Sequence, residues 1–265
     1  MLSVSWKRSL QVPRRWYSKG SAQELVDKFW TKISVDETPT HRAVTLEGKP
    51  LKTPGGSPLL IPNTKPAFLS HLIAQEWQVM PTLQLKAHHV PLTSLASRAI
   101  DFSEEERAIV AEKLLPYLDT DTLLVLAPIK DCEGRLRKVQ IEKFGPVVED
   151  ACKVWNIPKL NYLDTETQLF GNYQTPEAKE KVMAWMRSLD DWKFASLERA
   201  TTAARSLIVG MNIVLHRRPV AELAHLANLE VFHQTEIWGE VEDTHDVDHE
   251  DIRRLLGASY INALD

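Results

Sequence analysis

Residues 41–62 read HRAVTLEGKPLKTPGGSPLLIP, and the fold class turns on this stretch. Apolar and polar side chains alternate on both sides of Glu47-Gly48, the period-two pattern of a hairpin, and PLLIP at 58–62 reads as another short strand. Eight of the fifteen prolines (Pro39, Pro50, Pro54, Pro58, Pro62, Pro66, Pro81 and Pro91) fall between 39 and 91, so any helix there is short. Two such helices flank the strands. SAQELVDKFW at 21–30 opens with Ser21 as N-cap and Glu24 three residues on, a capping box. The second runs from Lys65 to Val79 and carries Ala67, Leu69, Leu72, Ile73 and Trp77.

From Pro91 onward the hydrophobic period is helical. PLTSLASRAIDF starts with Pro91 in a first-turn position, and Ser103 with Glu106 forms a capping box for SEEERAIVAEKLLPYL. Further helices are expected from Leu136 to Trp155 with a kink at Pro146, Pro176 to Leu189, Ser196 to His216, Pro219 to Trp238, and Val247 to Leu256. The expected fold is α+β: a small β-rich N-terminal domain with flanking helices (21–90), followed by a larger all-α C-terminal domain (91–265). The longest apolar run, SLIVGMNIVL at 206–215, is about half the roughly 20 residues that a membrane span needs, so it reads as a buried core helix.

Ahead of Glu24, the first acid, stand Lys7, Arg8, Arg14, Arg15 and Lys19 among serines, with Leu2, Trp6 and Leu10 at four-residue spacing. A basic, Ser-rich, acid-free N-terminus with one apolar helical face is the pattern of a mitochondrial transit peptide, here residues 1–17, with cleavage between Tyr17 and Ser18. The matrix is the expected compartment. Cleavage would remove four of the 32 basic residues and none of the 36 acidic ones, taking the net charge from -4 to -8. A body this acidic is not suited to gripping nucleic-acid phosphates. Cys132 and Cys152 form no CxxC pattern and are expected as free thiols.

Two stretches offer catalytic side chains. LDTDTL at 118–123 has the paired aspartates of a dehalogenase-type phosphatase loop in Asp119 and Asp121, but it follows an amphipathic helix ending at Pro116 where that chemistry needs a buried strand. Helix-end and capping roles suit both residues better. HDVDHED at 245–251 puts His245 and His249 at i and i+4, a metal-ligand spacing that Asp246 or Asp248 could complete. The same aspartates serve equally as cap and first-turn acids of a final helix. A metal-dependent or dehalogenase-like hydrolase is therefore the alternative class; the reading adopted is no enzyme, no metal and no cofactor.

The segment NLEVFHQTEIWGEVEDTHDVD at 228–248 ends a helix at Gly239, and a helix reaching further would align Phe232, Glu236 and Glu240 on one face. An aromatic beside two carboxylates suits a partner surface, where an anchor supplies energy and flanking charges set register. EIWGEVEDTHDVD at 236–248, with GKPLKTP at 48–54 followed by PLLIP, AQEW at 74–77, PLTSLASRAID at 91–101 and LLPYLDTDTLL at 114–124, resembles the mitochondrial F1-ATP synthase assembly factor 2 family, while GNYQTPEAKEK at 171–181 and EVFHQTE at 230–236 depart from its pattern. The resemblance runs from about Phe29 to Leu256. It implies a non-catalytic chaperone that binds the unassembled F1 α subunit and prevents its aggregation before it meets β. It further implies partner-binding roles for Glu236, Trp238, Glu240 and Asp246, and a structural role for Trp77 in AQEW.

Overall fold

The computed structural model describes residues 28, 30–80, 89–130, 134–167, 173–239 and 245–265. The transit peptide, and the helix expected over 21–30 apart from Lys28 and Trp30, lie outside them. So does Cys132; Cys152 is a free thiol.

Four antiparallel strands form the N-terminal sheet: β1 (Ile33–Glu37), β2 (His41–Leu46), β3 (Lys49–Pro50) and β4 (Leu60–Pro62). β2 pairs along its length with β1, while β3 and β4 share its other edge. The Glu47-Gly48 turn closes β2 onto β3 with φ of 50° and 76°, the left-handed pair that a two-residue hairpin demands. β1 escapes the sequence reading: only Ile33 and Val35 alternate before two acids, and the strand lies on the edge of the sheet.

Helix α1 (Ala67–Val79) lies on β1 and β2. Leu69, Ile73 and Trp77, spaced by four, face the core. Phe68, Leu72 and Val79 stay exposed, at 47%, 37% and 64%. The helix stops at Met80, which takes extended backbone ahead of Pro81. In α2 (Pro91–Asp101) the first N–H groups are met by the Glu76 carboxylate of α1, which accepts from Leu92 N at 2.7 Å, Thr93 N at 2.9 Å and Thr93 Oγ1 at 2.7 Å. Burial pushes the Glu76 carboxyl up while these hydrogen bonds pull it down.

The rest is helical apart from one parallel two-residue pair. In order come α3 (Glu104–Leu114), β5 (Val125–Leu126), α4 (Arg135–Val154), β6 (Leu163–Asp164), α5 (Pro176–Ser188) and α6 (Asp191–Ala204). They are followed by α7 (Leu207–Val214), α8 (Val220–Ala227), α9 (Leu229–Trp238) and α10 (His245–Asn262). Both hydrogen bonds of the Ser103/Glu106 capping box are present. The stretch expected as one helix over Ser196 to His216 is two, because Arg205 turns left-handed at φ 52° and Ser206 caps α7. The expected helix over Pro219 to Trp238 also divides, at Asn228. All eight residues of α7 are buried, and among the described residues no helix is long and apolar enough to cross a membrane.

Two hydrophobic cores result. One joins the sheet, α1 and α2, and takes in Trp192 and Ala195 of α6 and Ala258 of α10. The other is built from α3 to α10 and centres on α7. The cores meet along α2, α6 and α10, with Phe102 touching both.

Candidate partner-binding site

Helix α9 ends at Trp238, where Gly239 takes φ 87° and returns its N–H to Thr235 O at 2.8 Å. Phe232 and Glu236 therefore share a face one turn apart, and Glu240 lies outside the described residues. Glu236 is exposed. The backbones of Trp238 and Asp246 are placed in α9 and α10, but their side chains lie outside the described set. Phe232 is half-buried between two imidazoles: it stacks on His225 with centroids 4.8 Å apart and meets His249 edge-on at 4.9 Å. Burial, then the charges of Lys143 and His249, pushes the His225 pKa down, with Glu236 opposing. Beside it a cavity of about 710 Å3 opens between α4, α9 and α10, lined by Phe144, Phe232, Thr235 and His249 among others. The geometry supplies an anchored aromatic with an exposed carboxylate at its edge.

The dehalogenase-like reading loses its setting, while the metal reading falls mostly on side chains outside the described set. α10 begins at His245, two residues earlier than expected, which places Asp246 and Asp248 in its first turn, where acids favour the helix dipole. The His249 ring is engaged with Phe232, and no group of three metal-ligating side chains occurs among the described residues. Asp121 is fully buried and accepts from Leu123 N at 3.0 Å, Ser206 Oγ at 2.6 Å and Ile208 N at 3.0 Å. It caps the 3-10 turn Thr122–Leu124 and fastens the α6–α7 corner. Asp119 accepts from Gln174 N at 2.7 Å and pairs with Lys179 at 2.5 Å, tying α5 to the turn after α3. Both aspartates are spent on the scaffold.

Trp77 sits where two elements cross. Its ring meets Trp30 edge-to-face at 5.4 Å, its Nε1 donates to Thr93 Oγ1 at 3.1 Å, and its carbonyl accepts from Trp30 Nε1 at 3.2 Å. The preceding Glu76 caps α2, so the AQEW stretch couples α1 to α2 through both of its last residues. Sequence reasoning passed over Glu76 because its partners lie 16 and 17 residues away.

The family model described as ATP12 chaperone protein matches residues 27–152. The mitochondrial protein atp12 of Schizosaccharomyces pombe is 35% identical, the match covering 88% of this chain and 81% of that one. The mitochondrial protein ATP12 of Saccharomyces cerevisiae is also 35% identical, with 89% and 83% covered. The crystal structure of Atp12 from Paracoccus denitrificans superposes with a TM-score of 0.73 at 26% identity, covering 90% of this chain and 97% of the other. Two relatives at 35% identity, each matched over more than four fifths of both chains, show the family: the chain belongs to the ATP12 chaperone family, as a chaperone and not an enzyme.

Proposed function

We propose that this protein acts in the mitochondrial matrix as an assembly chaperone of F1-ATP synthase, binding the unassembled α subunit and preventing its aggregation before the α/β hexamer forms. The observation that carries the reading is the 35% identity over 88% of the chain to a mitochondrial ATP12 protein. The acid-free leader and acidic body agree with it. A subunit of an obligate oligomer exposes, before assembly, a large apolar surface that aggregates unless covered. The partner contact is placed on the α9–α10 segment, with Glu236, Trp238, Glu240 and Asp246 as contact residues and Phe232 as the anchored aromatic behind them.

The test uses purified F1 α subunit diluted from denaturant. The wild-type chain should suppress its light scattering, and the double variant Glu236→Lys/Glu240→Lys should bind it at least tenfold more weakly, as expected for like charge set against a complementary patch. Reversing an exposed charge at a helix end changes stability by about 1 kcal/mol or less, so the far-UV dichroism should be unchanged. Wild-type protein that leaves α aggregation untouched would defeat the client assignment. Normal binding by the folded variant would move the contact elsewhere.

A further inference from the structure

Between α2 and α6, where the two cores meet, runs a groove of about 770 Å3. Its floor is apolar, made by Trp77, Leu95 and Ala195. α2 lays the hydroxyls of Thr93, Ser94 and Ser97 along one wall, and the loop after Leu51 closes one end with Lys52. Five charged side chains line it: Lys52, Arg98 and Arg199 against Asp101 and Glu198.

Both anions are already satisfied. Asp101 accepts from Thr53 Oγ1 at 2.6 Å and from Gly55 N at 2.9 Å. Glu198 accepts from Arg98 Nε at 3.0 Å and Nη2 at 3.3 Å, and the Arg98 guanidinium also lies 4.3 Å from the centre of the Phe102 ring. Arg199 is different. It is half-buried, and one of its five N–H donors is engaged, Nη2 to Ser94 Oγ at 3.1 Å. Among the described residues it forms no ion pair; burial pushes its pKa down, with only the field of Glu198 opposing. A guanidinium half-withdrawn from water without a carboxylate costs the free protein stability. Its unused donors form a planar fork matched to a carboxylate.

We propose that this groove is a second client-docking site, which takes an acidic stretch of the bound polypeptide: an Asp or Glu carboxylate pairs with Arg199 while an adjoining apolar side chain covers the Trp77–Leu95 floor. The proposal rests on the client reading above and adds to it a site of opposite charge, lined by α2 and α6 rather than by α9. A polypeptide fits better than a phosphate ligand. The spare cations are single and separated, Arg199 on the wall and exposed Lys52 at the end, and the space between them is apolar and hydroxyl-lined, whereas a phosphate calls for several donors converging on one point.

Full-length protein carrying Arg199→Gln keeps an N–H for Ser94 but loses the charge. Its affinity for F1 α subunit at low salt should fall about tenfold, the drop shrinking in high salt, while its melting temperature is unchanged or higher. Arg199→Lys should recover part of the loss. Thr202→Glu, at an exposed position on the rim, should weaken binding in the same salt-dependent way by repelling the incoming carboxylate, and it decides the matter alone if Arg199→Gln fails to fold. Wild-type affinity in folded Arg199→Gln and Thr202→Glu overturns the groove and leaves the client reading standing. Wild-type protein that does not bind α subunit overturns both.

Discussion

Asp121 shows how much one buried side chain can decide. Burial raises its pKa to about 6 against the hydrogen bonds from Ser206, Ile208 and Leu123, which favour the ionised form. The folded chain therefore holds a proton between about pH 6 and the ordinary carboxylate range that the unfolded chain has released. In that window stability from this group falls as pH rises, and above it the carboxylate is ionised in both states. Asp121→Asn removes the titration but leaves an amide N–H opposite the Ile208 N–H, so it should be less stable than wild type at pH 7. Lowering the pH from 7 to 5 should widen the gap in favour of wild type by about 1 kcal/mol. Urea titrations of both proteins at the two pH values measure this, and a pH-independent gap would show that Asp121 does not titrate there. The same residue supplied the phosphatase-like motif in the sequence; three hydrogen-bond donors converging on it explain why it is structural.

At the scale of elements, the closest approach is between α6 and α7. A Cβ built on Gly210 would stand 2.3 Å from Thr201 Oγ1 and 3.1 Å from Leu197 Cδ1, so glycine here admits the neighbouring helix rather than an unusual dihedral. Gly210→Ala should cost about 1–3 kcal/mol by overpacking. Adding Thr201→Ala should return part of that loss, and additive thermal-shift values for the two changes would count against direct contact. The break between α6 and α7 was not legible in the sequence, since neither proline nor glycine marks it: Arg205 is bent left-handed by Ser206 and Ile208 docking on Asp121, more than 80 residues away. Short-range chemistry was legible. The Glu47-Gly48 turn and the Ser103/Glu106 box each complete themselves within a few residues, and each appears as read. In the candidate site the Gly239 stop and the Phe232–Glu236 face could be read off, but the two imidazoles clasping Phe232 could not. His249 comes from the next helix and reaches the ring only in the folded chain. Arg199 was passed over for the same reason: its partner Ser94 lies 105 residues earlier.

In the whole molecule, α10 binds the two cores into one. Leu256 enters the helical core and Ala258 the N-terminal one, while Asn262 Nδ2 donates to Trp192 O at 3.2 Å and Ser196 Oγ at 3.0 Å. Just beyond the helix, buried Lys65 donates to Leu264 O at 3.0 Å and Asp265 Oδ1 at 3.2 Å, and Lys193 pairs with the same Asp265 carboxylate at 2.5 Å. With α2, α6 and α10 shared, the cores should melt together: calorimetry should give one transition whose van't Hoff and calorimetric enthalpies agree, and two resolved peaks would contradict the shared-helix arrangement. The Lys65 contacts with residues 264 and 265 span 199 and 200 positions, and their consequence lies in timing. A chain that emerges N-terminus first, from a ribosome or through a membrane pore, has its sheet and α1 early but gains these packing partners only some 200 residues later. Until then neither half can finish, and folding has to wait for a ring closure of 200 positions, about three quarters of the 265-residue chain. Such a polypeptide stays pliable throughout its passage and becomes rigid in a single late step.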